Sequence, residues 1–175
     1  MNLTVNHLTK KNQLKKEQIS FSYEVWNALE LLPEADQALF KKAREVTQLA
    51  YAPYSRFFVG AAAVLQNGKT ITGTNQENAS FPAGICAERV LLSAAASLYP
   101  GISLLTIAIS YFNKNNGKSR HPLAPCGICR QSLLEYEMRQ QQPIRLLLGG
   151  MEGKIFVIDD VKALLPLYFS GSDMT

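Results

Sequence analysis

Cys86-Ala87-Glu88-Arg89-Val90-Leu91-Leu92-Ser93-Ala94-Ala95-Ala96-Ser97-Leu98, followed across Tyr99-Pro100-Gly101 by Ile102-Ser103-Leu104-Leu105-Thr106-Ile107-Ala108-Ile109-Ser110-Tyr111, holds both kinds of element from which this chain is built. Its first half is rich in strong helix formers and stops where Pro and Gly interrupt it. Its second half is an almost unbroken apolar run, which suits a strand buried on both faces. A helix feeding a doubly buried strand points to the α/β class.

The flanking segments repeat the alternation. Upstream, Phe57 to Leu65 and Thr70 to Thr74 enclose Gln66-Asn67-Gly68-Lys69, and Asn-Gly between two apolar runs predicts a β-hairpin. Leu39, Phe40, Ala43, Val46 and Ala50 mark one face of a helix that begins at Pro33, with Glu34 and Asp36 near its positive end. Ile19, Phe21, Tyr23 and Val25 alternate with polar residues, predicting a half-buried strand over Ile19 to Trp26 at a sheet edge or an oligomer contact. Downstream, Asn113 to Arg120 reads as a surface loop and Gly127 to Arg139 as a second helix opening at a cysteine pair. Ile144 to Leu148 and Lys154 to Ile158 read as strands, and Val161 to Leu165 as a short helix before Pro166. The expected architecture is a three-layered α/β domain.

At 175 residues, 47% of them hydrophobic, the chain suits one domain with a substantial core. Lys10, Lys11, Lys15 and Lys16 contribute to a net charge of +4, but without interleaved aromatics they read as a solvated N-terminal arm rather than a nucleic-acid contact. Three cysteines and no apolar leader argue against a disulfide framework and for a reducing, cytoplasmic setting. No apolar run approaches the length of a membrane span.

The cysteines fall as Cys86-Ala87-Glu88 and Pro125-Cys126-Gly127-Ile128-Cys129. Structural zinc closes its tetrahedron with four protein ligands, whereas catalytic zinc keeps one position for water. A redox pair needs neither a third thiol nor a carboxylate. A structural site gains nothing from Glu88, but general acid/base work at a metal-bound water requires such an acid. Residues i and i+2 of a regular helix diverge, so Cys86 and Glu88 converge only if Cys86 sits at the half-helical first position. The helix is therefore expected to start at or just after Ile85. His121 reads as a loop residue, since a fourth protein ligand would block the water position, and His7 belongs to the arm.

These residues reproduce the zinc nucleobase-deaminase signature of His or Cys, x, Glu, then Pro-Cys-x-x-Cys. The chain resembles a cytidine deaminase. The likeness extends to Tyr51-Ala52-Pro53-Tyr54-Ser55-Arg56-Phe57-Phe58-Val59-Gly60-Ala61-Ala62, to Gly73-Thr74-Asn75-Gln76-Glu77-Asn78-Ala79-Ser80 and to Arg130-Gln131 after the last cysteine. Leu164-Leu165-Pro166 matches weakly, so the resemblance spans about residues 35 to 170.

The resemblance implies a three-layer α/β/α domain with a mixed central sheet over residues 35–175, preceded by an extension over 1–34. It implies Zn²⁺ on Cys86, Cys126 and Cys129, with Glu88 as the proton carrier in hydrolysis of cytidine, and of deoxycytidine, to uridine or deoxyuridine and ammonia in pyrimidine salvage. It further implies Phe57 stacked on the pyrimidine, Ala87 among the substrate contacts, Asn75 and Glu77 on the ribose 3′-hydroxyl, and Arg89 hydrogen-bonded to the thiolates. Arg130 and two helix ends are further sources of positive charge to offset three thiolates. A carboxylate at the 3′-oxygen repels a phosphodiester, which favours a monomeric nucleoside over nucleic acid.

The three-cysteine form resembles the homotetrameric branch, in which an aromatic matched here by Phe169 completes a neighbour's site. Where many members have Tyr-Gly before the first zinc cysteine, this chain has Phe81-Pro82-Ala83-Gly84, which removes a hydroxyl. The competing readings are a deaminase of a base analogue such as blasticidin, a polynucleotide deaminase, and a non-catalytic zinc-binding interaction module.

Overall fold

The structure, a computed structural model, describes residues 15–174. Lys10, Lys11 and His7 lie outside the described residues. β1 (Glu24–Trp26), α1 (Glu34–Val46), β2 (Phe57–Leu65), β3 (Thr70–Thr74), α2 (Ala87–Leu98), β4 (Leu104–Asn113), α3 (Gly127–Gln140), β5 (Arg145–Leu148) and β6 (Ile155–Ile158) follow in that order.

The β2–β3 hairpin forms as the Asn67-Gly68 pair predicts, with Gly68 at φ +77° and the Asn67 side chain accepting the amide of Lys69. β2 pairs antiparallel with β4, and β4 pairs parallel with β5 across the α3 crossover. One mixed sheet results, ordered β1-β6-β5-β4-β2-β3.

Alternation along the strands assigns the two faces. Ala62 of β2, Ala108 of β4 and Leu147 of β5 meet Leu39, Phe40 and Ala43 of α1. Ala61, Ala63, Ile107 and Ile109 point the other way, onto Leu91 and Ala95 of α2 and Leu133 of α3. The expected three layers are thus present, α1 on one face and α2 with α3 on the other. Phe40, Leu91 and Leu133 are fully buried. Each contributes about 1.5–3 kcal/mol of apolar transfer.

Two boundaries differ from expectation. Ala50 lies outside α1, which tightens into a 3-10 turn over Thr47–Leu49 and then extends, Ala50 having ψ 142°. The chain extends there to pair Tyr51 with the segment after β3, its amide donating to the Asn75 carbonyl. The N-terminal strand covers only Glu24–Trp26, because only these residues find partners, Val157, Phe156 and Ile155 on β6. Ile19, Phe21, Tyr23 and Val25 are exposed rather than half-buried.

Packing is also close between β3 and α2. A Cβ on Gly73 would stand 2.4 Å from the carbonyl oxygen of Ala87 and 2.5 Å from the amide of Leu91. Gly73→Ala is expected to destabilise the chain by about 1–3 kcal/mol, the usual cost of overpacking. It should also lower activity, because the helix turn it displaces carries Glu88. Thermal unfolding and turnover of the same preparation check both effects.

Candidate functional site

Cys86 and Cys126 each occupy the position before a helix, with φ/ψ of −75°/155° and −68°/169°. Extended backbone there lets the two thiols turn toward each other, while Cys129 enters from the first turn of α3, fully buried. The expected start of α2 and the placement of Cys86 at its threshold are both observed. Cys86 Sγ lies 3.8 Å from Cys126 Sγ, which lies 3.5 Å from Cys129 Sγ. All three sulfurs fall within 4.8 Å of one another.

Tetrahedral zinc with bonds of about 2.3 Å separates its sulfurs by about 3.8 Å, so this donor set fits the ion by type and by spacing. The positive ends of α2 and α3 face the thiols and favour their ionised forms. Accepting a hydrogen bond from Cys129 pulls Cys86 down to about 6 despite partial burial. Cys129, the donor of that bond and buried, is pushed well above the usual thiol range.

Glu88, in the first turn of α2, is only 5% exposed. Burial raises its pKa, outweighing the hydrogen bonds from its own amide and from Cys129 that favour the carboxylate. Ala87 beside it is fully buried. Arg89 is half-buried, and its charge favours the Cys86 thiolate. Among the described residues Arg89 makes no hydrogen bond to a thiol. Arg130 donates from Nε to the Pro125 carbonyl and from Nη1 to the Leu164 carbonyl, which braces the approach to Cys126.

Asn75, Glu77 and Cys86 line one cavity of about 220 Å³, together with Gln76, Asn78, Phe81, Gly84 and Ile85. Asn75 also braces the start of β2, accepting the Val59 amide at 2.7 Å through Oδ1 and donating from Nδ2 to the Phe57 carbonyl at 2.9 Å. Glu77 Oε2 accepts the amides of Tyr54 and Ser55 at 2.9 and 3.2 Å. Slight desolvation acts to raise the Glu77 pKa, but the Ser55 hydroxyl and these two amides hold it below the ordinary carboxylate value.

Phe57 does not line that cavity. Its ring stacks on Tyr111 at 4.9 Å and 18°, and the Tyr111 hydroxyl meets His121 Nδ1 at 2.9 Å. His121 thus sits with Tyr111 rather than with the thiols. Phe169 is tethered by Gln131, whose side chain donates to its carbonyl, and the residue is 57% exposed. Sequence reading missed the backbone amides of Tyr54 and Ser55, since any residue supplies an amide. It missed Tyr111 as well, whose contact with Phe57 depends on the β2–β4 register.

Residues 33–142 match the family model described as the cytidine and deoxycytidylate deaminase zinc-binding region. A cytidine deaminase of Halalkalibacterium halodurans is 38% identical over 138 residues, covering 79% of this chain and 96% of the relative. One from Mycobacterium tuberculosis is 36% identical over 135 residues, covering 74% and 96%. The crystal structure of cytidine deaminase from Burkholderia pseudomallei superposes with a TM-score of 0.66 at 36% identity, covering 79% of this chain and all of that one. With three cysteines at zinc spacing, a buried glutamate beside them, and a matched segment running from α1 through α3, this chain belongs to the cytidine and deoxycytidylate deaminase family.

Proposed function

We propose that the chain is a zinc-dependent cytidine deaminase that hydrolyses cytidine, and deoxycytidine, to uridine or deoxyuridine and ammonia. The observation that carries this reading is a set of three thiols at tetrahedral spacing with the buried Glu88 one residue beyond Ala87. Zinc held by Cys86, Cys126 and Cys129 supplies the Lewis acidity that makes a water nucleophilic near neutral pH.

The remaining work belongs to the chain. Glu88 takes the proton that the attacking water loses and delivers it to ring N3. As a carboxylate again, it takes the remaining proton from the hydroxyl now on C4 and passes it to the exocyclic nitrogen, so that the C4–N bond breaks, C4 becomes the carbonyl of uridine and ammonia leaves. Burial lifts the Glu88 pKa, which favours its holding a proton between the two transfers. Ala87 contacts the base in the same turn. Phe57 presents an aromatic face, held rigid by Tyr111 beneath it and by Asn75 along its backbone.

Asn75 and Glu77 recognise the ribose 3′-hydroxyl. Glu77, held ionised by its three donors, accepts from a free hydroxyl and repels a 3′-phosphate. Cytidine 3′-monophosphate is therefore expected to show kcat/KM at least about 10²-fold below that of cytidine, since an uncompensated like-charge contact costs several kcal/mol. Equal values would remove Glu77 from the 3′ position. The same pair disfavours RNA and DNA substrates.

Arg89 offsets the negative charge of three thiolates, and the exposed Phe169 completes the site of a neighbour in a homotetramer. Residues 35–175 form the catalytic domain and 1–34 an extension. The setting is cytoplasmic pyrimidine salvage. Zinc-loaded protein incubated with cytidine is expected to release ammonia and uridine in equal amounts. Turnover of blasticidin or free cytosine in place of cytidine would instead indicate a base-analogue deaminase.

A further inference from the structure

β1 ends the sheet, paired with β6 on one side and with no strand on the other among the described residues. The segment from Lys15 to Tyr23 leads into it outside any helix or strand. Ile19, Phe21, Tyr23 and Val25 occupy alternate positions and are 59%, 49%, 47% and 48% exposed. Tyr23 touches the ring of Phe156 at 4.8 Å and Phe21 lies 6.2 Å from Tyr23, so the apolar row continues the sheet face on which Phe156 packs. Lys16, Gln18, Ser20, Ser22 and Glu24 occupy the intervening positions. Period-two alternation, a free edge and apolar side chains left in water together describe a strand lacking a partner.

We propose that a second copy of this chain is that partner, residues 16–24 of two copies pairing antiparallel about a two-fold axis and joining their sheets through β1. Pairing must preserve the alternation, because a slip of one residue sets Phe21 against Ser20 or Gln18. With Ser20 opposite its counterpart, Lys16 of each copy faces Glu24 of the other, Ile19 faces Phe21, and no like charges meet. A shift of two residues either way puts Lys16 opposite Trp26 or Ser22 and loses both ion pairs. Lys16 has no ion-pair partner among the described residues, and Glu24 uses only Oε2, on the indole N–H of Trp26 at 2.7 Å. The two-fold arrangement closes after one pairing, so it yields a defined doubling rather than a fibre.

This edge lies four strand spacings, about 19 Å, from β2, which carries Phe57, and the pairing uses none of the residues assigned to the proposed metal centre. Sedimentation equilibrium of the full-length chain tests it with Lys16→Glu, Glu24→Lys and the double variant carrying both. Each single variant is expected to halve the assembly mass or raise its dissociation constant at least tenfold, and the double variant to restore it. Cytidine turnover per subunit should stay unchanged throughout.

Mild oxidation supplies a second reading. Ser20→Cys should cross-link two chains, whereas Ser22→Cys, facing Gln18, should not, and the three native thiols are the same in both. One assembly mass for all four proteins, a double variant as dissociated as the singles, or equal cross-linking at positions 20 and 22 would overturn the proposal. Coverage of the apolar row by residues 1–14 of the same chain would give the first of these results.

Discussion

Glu88→Gln is expected to lower kcat for cytidine by at least about 10³-fold, because a positioned acid or base contributes about 10²–10⁴-fold and the proposed mechanism gives Glu88 more than one proton transfer. Glutamine matches the shape of the side chain and can hydrogen-bond, but it neither accepts nor releases a proton in this range. The same change should leave zinc content intact and stability undiminished. Glu88 is nearly fully buried and its charged form is disfavoured there, so the neutral amide removes a desolvation penalty. Loss of activity with Tm retained or raised identifies a group kept for chemistry at a cost in stability. Loss of activity with a lowered Tm and lost metal would instead mark Glu88 as a structural support for the thiols.

Cys129→Ala should act on metal, activity and folding together. Cys129 is fully buried between the sheet and the other two thiols, and its removal takes away one of three donors and opens a small void. Structural zinc in small domains contributes about 10–16 kcal/mol of apparent binding free energy, which is also folding free energy when the site exists only in the folded chain. The variant is expected to retain less than about a tenth of an equivalent of zinc after dialysis, against the one ion that a three-thiolate site holds. Activity should be undetectable and Tm lowered. Chelator-treated wild-type protein should fall to a similar Tm, which separates loss of the ion from loss of the side chain.

Cys86→His offers a contrast at the half-buried threshold of α2, since the signature accepts His or Cys there and imidazole is itself a zinc ligand. That variant should keep its metal. Atomic absorption on all three proteins distinguishes these outcomes, and a fully loaded Cys129→Ala protein would contradict the three-thiolate assignment.

Some features of the fold were legible because a local cause sufficed. Asn67-Gly68 specifies the turn between β2 and β3 by backbone conformation alone, and both strands fall where the flanking apolar runs place them. The start of α2 followed from geometry, since Cys86 and Glu88 can converge only if the helix begins between them. Other features had no local cause. β1 shrank to three residues because its partner on β6 lies about 130 positions away, and the extent of pairing depends on that partner. Arg130 reads as a counter-charge from its place beside Cys129, and its guanidinium also binds the carbonyls of Pro125 and Leu164, a contact that no local rule supplies. Asn75 reads as a ribose contact, and its amide also clamps Phe57 and Val59 through the β2–β3 register.

The residue types and their order determined the chemistry available: three soft donors and no fourth, an acid two positions from one of them, and helix starts at both donor groups. Those follow from composition and short-range backbone rules, which a chain carries before it folds. Only the tertiary structure decided that thiols forty residues apart stand within 4.8 Å of one another, that Glu88 is almost wholly buried, and that Phe57 rests on Tyr111. Distances across the sheet and the degree of burial arise from many packed residues at once, so no single stretch of sequence encodes them.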